Sequence, residues 1–227
     1  MAIRAGVLLS GCGVFDGSEI HEAVSILIAL DRKKAEIICI APNMPQAEVI
    51  SHRKKAPEPA ARNVLEESAR IARGKIRDLA EVRAGDLDAL FFPGGFGAAK
   101  NLSDFAKSGA NCKVHPDVTR LMRDVHAAKK PIGLACIAPV LAAKVFGTAG
   151  IKTRLTVGTD PGVAGAINSM GGEHCNTGPT DVCIDEANRI VTTPCYMNDV
   201  GPWTVFQGAE KMVDVVLKMT GMPIQTS

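Results

Sequence analysis

Aromatic side chains are scarce in this chain of 227 residues: one Trp, one Tyr and seven Phe make up 4% of it. Binding of bases by stacking needs aromatic platforms, so that mode is not expected. No sign of charge dominates either. The 26 Lys and Arg stand against 24 Asp and Glu, a formal net charge of +2. That leaves no electrostatic footprint for nucleic acid or an anionic membrane surface. The basic run Arg53-Lys54-Lys55 reads as a solvated loop face. No stretch approaches the ~20 apolar residues of a membrane span, and Ala5 to Leu9 is too short for a signal h-region. The seven Cys include no C-x-x-C pair, and an odd, scattered set is not a disulfide framework. Reduced thiols and no secretory signal give the expectation of a cytoplasmic protein. A Walker loop is absent. The segment Gly11-Cys12-Gly13-Val14-Phe15-Asp16-Gly17 is a near miss of the dinucleotide fingerprint, and the second strand ends in Pro42-Asn43 with no acid for a ribose. His174-Cys175, Cys183 and Cys195 match no zinc spacing. No cofactor and no metal are expected.

What is present is an ordinary globular balance, 46% apolar and 22% charged, in a chain long enough to bury a core unaided. Short apolar runs at 3–9, 37–40, 88–92 and 131–135 read as buried strands. Helical spacing recurs between them. After the first strand, Asp16 or Ser18 is the expected cap, Glu19 and Glu22 fall where a helix dipole favours acid, and Ile20, Ala23, Val24, Leu27 and Ile28 make the expected core face. Further helices are expected at 64–72, 118–128 and 139–146, and a last one opens near Pro202. A short strand is expected over 154–157, and Val182 to Thr192 reads as a hairpin. Residues 43–62 read as irregular, and 43–73 as an excursion from the sheet. Strands alternating with amphipathic helices imply an α/β fold with a mostly parallel central sheet covered on both faces. With no linker and no repeat, residues 1–227 are expected to form one domain.

Three local signals carry chemistry. The strongest is strand–Cys–helix: Gly133-Leu134-Ala135-Cys136-Ile137-Ala138-Pro139 sets a thiol at a sharp turn near a helix N-terminus. The partial positive charge there favours a thiolate. The Ile137 N–H is then a candidate oxyanion donor, as in the nucleophile elbow of hydrolases. A buried structural Cys is the plain alternative. The second is Pro93-Gly94-Gly95-Phe96-Gly97, a turn on the same sheet edge, where Gly95 is a candidate second donor. The third is acidic: Glu22, or else Glu19, is placed to hold or move a proton near Cys136. A carboxylate raises a neighbouring thiol's pKa, so that Glu must be partly protonated or outweighed by the helix terminus.

These motifs, in this order, resemble the PfpI-like branch of the class I glutamine amidotransferase-like superfamily. The glycine turn continues into Lys100-Asn101-Leu102, and the elbow spans Gly133 to Pro139. Ser10-Gly11-Cys12-Gly13 through Glu22, with Asn176-Thr177-Gly178-Pro179 and Ile190 to Pro194, is similar to the narrower ElbB family, the isoprenoid biosynthesis glyoxalases. The resemblance implies a flavodoxin-like three-layer sandwich and a glutathione-independent glyoxalase activity. Cys136 would attack a small dicarbonyl such as glyoxal, Glu22 would relay a proton through an enediol, and the thioester would be hydrolysed to glycolate. It also implies a homodimer. The chain departs from the glutaminases of the superfamily: Ile137, not His, follows the Cys, and no His sits in a His-x-Glu setting. That argues against glutamine hydrolysis and leaves the thioester step without an evident base, with His174 a candidate helper. A thiol redox sensor with an oxidisable Cys136 is the alternative from another class, and a pure interaction protein is a third.

Overall fold

Alternation of side chains along the strands divides the apolar residues between two cores, one on each face of a central sheet. The structure is a computed structural model and describes residues 2–223. Its elements run β1 (Arg4–Leu8), α1 (Ile20–Arg32), β2 (Glu36–Ala41), β3 (Ile50–Ser51), β4 (Ala56–Pro57), α2 (Val64–Ile71), β5 (Ile76–Asp78) and β6 (Ala89–Phe92). Then follow α3 (Phe96–Lys100), α4 (Phe105–Ser108), α5 (Pro116–Ala127), β7 (Ile132–Ala135), α6 (Pro139–Gly147), β8 (Arg154–Leu155), α7 (Pro161–Ser169), β9 (Glu173–His174), β10 (Cys183–Asp185), β11 (Ile190–Thr193) and α8 (Pro202–Met219).

The central sheet has the order β10-β11-β7-β6-β1-β2-β5. All pairings in it are parallel except β10 with β11, the expected hairpin. Along β1 and β6, Ala5, Val7, Ala89 and Phe91 face the core under α1 and α8, while Leu8, Leu90 and Phe92 face the core under α5 and α6. This is the three-layer α/β sandwich expected from the sequence.

Chain order reverses across the sheet between β1 and β6: β2 lies on one side of β1 and β6 on the other. Loops leaving the carboxyl ends of strands at such a reversal splay apart and open a crevice. The turns after β1, β6, β7 and β11 all leave from that edge.

Two expectations need correcting. First, the buried residues of α1 are Glu22, Ala23, Ser25, Ile26, Ala29 and Leu30. Ile20, Val24 and Ile28, read as core, are 42%, 38% and 47% exposed. The helix is apolar on more than one side, and docking on the sheet and on α8 chooses the face with the small residues. Second, α1 is capped by neither Asp16 nor Ser18. The Glu19 carboxylate accepts the Glu22 N–H at 2.8 Å. Asp16 instead accepts from Ile50 N–H at 2.7 Å, and the Ser18 hydroxyl from Ser10 N–H at 2.9 Å.

Several elements had no expectation. The stretch read as irregular contains the β3–β4 ladder. The strand β5 is three residues long with Arg77 at its centre, too short and polar for a periodic signal. The helix α7 buries only Ile167 among glycines and alanines, and its readable mark is local: Asp160 caps it by accepting Val163 N–H at 2.8 Å, with Pro161 at the first position.

Candidate active site

Cys136 leaves the end of β7 at φ +57°. A non-glycine residue in this left-handed region costs on the order of 1–3 kcal/mol and persists only where its surroundings over-determine it. Here they do. The Cys136 N–H donates to Thr193 O at 2.9 Å, continuing the β7–β11 ladder past the turn. The helix α6 begins three residues later at Pro139. The strained elbow aims the sulfur at the crevice, next to Glu22 and the glycine turn after β6.

Glu22 is fully buried on the first turn of α1. Its Oε2 accepts the Gly94 N–H at 2.9 Å and its Oε1 accepts the Tyr196 N–H at 3.2 Å. The Cys136 thiol is its third partner. Burial, and then the negative charge of Glu19, push the Glu22 carboxyl up to about 8, against the pull of these donors. Cys136 moves the same way. Burial, then Glu22 and Cys195, hold its thiol well above the ordinary value, and only the Gly95 N–H against the sulfur pulls downward. Desolvation and the carboxyl thus act against the helix terminus expected to favour a thiolate, and of the two conditions set by the sequence, the partly protonated Glu is the one that burial favours. Near neutral pH both buried groups hold their protons, the thiol and most of the carboxyl alike.

The two glycines are required by close approach. A methyl group on Gly94 would sit 2.4 Å from Cys136 Cβ and 2.6 Å from Glu22 Oε2. Gly95, at φ +93°, would meet Glu19 N at 2.3 Å and Gly17 O at 2.4 Å. Gly95 and Ile137 border the same pocket as Cys136 and Glu19. Among the described residues, no acceptor takes the Ile137 N–H.

Glu19 therefore has two places at once, as cap of α1 and as pocket wall. His174 is placed elsewhere. It lies on β9, its Nε2 accepts Val157 N–H at 3.2 Å, and burial lowers its pKa. That bond holds the ring neutral and away from the pocket lining.

Three residues escaped the sequence reading. Tyr196, the single tyrosine, follows β11 on the carboxyl edge and lines the pocket. Its hydroxyl and His21 Nδ1 are 2.7 Å apart, and His21 Nδ1 is 4.0 Å from Glu19 Oε1. Cys195, buried at φ +44°, stands beside Glu22 and Cys136 electrostatically. Register could have found the tyrosine: Thr193 pairs with Ala135, so residues just beyond each strand reach the same crevice.

Known proteins are similar to this chain over nearly its whole length. It is 50% identical over 228 residues to the rat "ES1 protein homolog, mitochondrial", a match covering 96% of this chain and 84% of that one. The chain belongs to the ES1 family of class 1 glutamine amidotransferase-like proteins. The human member, "glutamine amidotransferase-like class 1 domain-containing protein 3, mitochondrial", is 49% identical, covering 97% of this chain and 84% of its own. A solved structure of an isoprenoid biosynthesis protein with an amidotransferase-like domain from Ehrlichia chaffeensis superposes with a TM-score of 0.89 at 36% identity, covering 95% of this chain and 99% of that one. Drosophila melanogaster DJ-1beta shares the fold at 17% identity, with a TM-score of 0.54 over 97% of both chains. No family model matches the chain.

These names correct the expected cytoplasmic location. The rat, human and zebrafish ES1 relatives are all named mitochondrial, which points away from the cytoplasm. The physical reason for the error is plain. The expectation rested on reduced thiols, and these do not separate the cytosol from another reducing compartment.

Proposed function

We propose that this ES1-family chain is a cofactor-free, glutathione-independent glyoxalase-like lyase of the ElbB type, converting glyoxal to glycolate through Cys136. The observation that carries the proposal is the buried Glu22–Cys136 pair beneath the Gly94-Gly95 turn. A carboxyl held near 8 is matched to taking and returning protons near neutral pH. The ElbB resemblance supports the same reading, and the Ehrlichia protein is named for isoprenoid biosynthesis and an amidotransferase-like domain.

In the ionised fraction of Glu22, the Cys136 sulfur adds to one aldehyde carbon as its proton passes to the Glu22 carboxylate. The Gly95 and Ile137 N–H groups face the developing oxyanion. Glu22 returns that proton to the oxygen, leaving a hemithioacetal and a free carboxylate. The carboxylate then takes the C1 hydrogen, forming an enediol, and delivers it to C2. The hydroxyl proton of C1 moves to the C2 oxygen, and C1 becomes the carbonyl of a thioester. Water attacks that carbonyl, the Cys136 thiol leaves, and glycolate is released. No electrons enter or leave overall. Tyr196 and His21, joined at the pocket edge, are the groups assigned to accept the water's proton.

The experiment is glyoxal consumption with glycolate detection, without glutathione, for the wild type, Cys136→Ala and Glu22→Gln. Turnover by the wild type, lost in both variants, is the expected result. An inert wild type whose Cys136 still reacts fast with peroxide would replace the enzyme by a thiol redox sensor.

A further inference from the structure

The pocket over Cys136 has a volume of about 440 Å3. Glyoxal has four heavy atoms, and even at the ~30 Å3 that a whole water molecule takes in the liquid for each of them, it fills no more than about 120 Å3. The remainder is not a polar antechamber. Phe96, Ala99, Phe105, Val163 and Met197 line it. Phe96 is 46% exposed at its edge, one of few large apolar side chains left so. Asp160, the acid on that wall, accepts the Val163 N–H at 2.8 Å, and a pocket this size with a mainly apolar wall suits a ligand with an apolar body and one reactive head. A two-carbon dicarbonyl reaches the sulfur and leaves that wall in water.

We infer that the preferred substrate is a 2-oxoaldehyde carrying a bulky apolar substituent, aryl or branched alkyl, whose body lies on Phe96, Phe105 and Val163 while its aldehyde carbon meets Cys136. The inference rests on the glyoxalase-like reading and names the substrate class for that same site. The reaction balances as before. The oxoaldehyde gains one water, C1 is oxidised to the carboxylate, C2 is reduced to the carbinol, and the thiol is regenerated.

Phenylglyoxal, with mandelate as the product measured, is the probe, against glyoxal with glycolate measured. Cys136→Ala serves as the blank for both, which removes any direct reaction of the dicarbonyls with arginine. Burying an aryl group on the wall is expected to raise kcat/KM for phenylglyoxal on the order of 10- to 100-fold above that for glyoxal. Val163→Trp, which fills the wall, and Phe105→Ala, which removes part of it without crowding the fold, are both expected to lower the phenylglyoxal-to-glyoxal ratio at least several-fold. Glyoxal turned over as well as or better than phenylglyoxal would overturn this inference and leave the glyoxalase-like reading standing. A high ratio unmoved by either variant would overturn the assignment of the wall. No turnover of either compound would sink both.

Discussion

The Gly94 N–H donates to Oε2 of Glu22 across 2.9 Å, joining residues 72 apart in sequence. It ties the turn after β6 to the first turn of α1 and holds the carboxyl over the Cys136 elbow. Tyr196 N–H holds the other oxygen from the end of β11. Three separate stretches of chain thus fix one carboxyl, and this governs what its perturbation should do.

Gly94→Ala should abolish activity while the chain still folds. The added methyl falls 2.4 Å from Cys136 Cβ and 2.6 Å from Glu22 Oε2, so the pair must separate. We expect a loss of 100-fold or more in kcat/KM, about 2.7 kcal/mol of transition-state stabilisation, with a thermal transition still cooperative by calorimetry. Wild-type turnover in this variant would remove the pair from the mechanism.

Glu22→Gln should change how stability depends on pH. The folded carboxyl titrates near 8 against an ordinary 4.5, so between those values the folded chain holds a proton that the unfolded chain has lost. Stability from this group is full below about pH 4.5 and falls as pH rises through 8. Gln has no such slope. The variant's melting temperature minus the wild type's should therefore rise from pH 5 to pH 8.5, by the equivalent of a few kcal/mol. The baseline offset is not diagnostic, because the amide turns an NH2 toward a backbone donor. A flat difference would mean that Glu22 titrates normally.

Cys175, not Cys136, should be the first thiol alkylated in the free protein. A hydrogen bond from Cys183, with Arg154 nearby, brings Cys175 down to about 7, whereas burial and Glu22 hold Cys136 up. Iodoacetamide at pH 7.5, followed by peptide mass spectrometry, should label Cys175 at least tenfold faster. Faster labelling of Cys136 would show that its thiolate is the resting form.

Tyr196→Phe and His21→Gln should slow the last step rather than the first. The pair stands 2.7 Å apart at the pocket edge, where the hydrolytic water is assigned. Intact-mass spectrometry during turnover should find acyl-enzyme on Cys136 accumulating in both variants, with kcat lowered about 10- to 100-fold. Unchanged kcat in both would place the base elsewhere.

For the homodimer that the family resemblance implies, we propose as its seam the exposed stripe Ile20, Val24 and Ile28 of α1, with Trp203 of α8 at 67% exposure. The two helices lie side by side, tied by Lys33 to Asp214 at 2.9 Å and by Arg32 to Glu210. Val24→Glu with Ile28→Glu should shift the mass in light scattering from dimer to monomer. A dimer that survives the double variant, or a monomeric wild type, would remove this assignment.

Much of this protein was decided by local pattern. Alternation of short apolar runs with amphipathic helices determined the α/β sandwich, because strand and helix periods differ and each must bury its apolar side. The meeting of the Cys136 elbow with the Gly94-Gly95 turn at one sheet edge was legible because a strand running straight into a small-residue turn leaves a mark over a few neighbouring positions. Tertiary structure decided the rest. Which face of α1 is buried depended on α8, nearly two hundred positions away in the chain, so Ile20, Val24 and Ile28 read as core and stand outside. Whether Cys136 rests as thiol or thiolate depended on burial and on Glu22. Both are sums over residues brought together only by the sheet, and they act against the helix terminus that local sequence foretold. His21 and Tyr196 met for the same reason: a hydrogen bond across 175 positions leaves no trace in either segment alone.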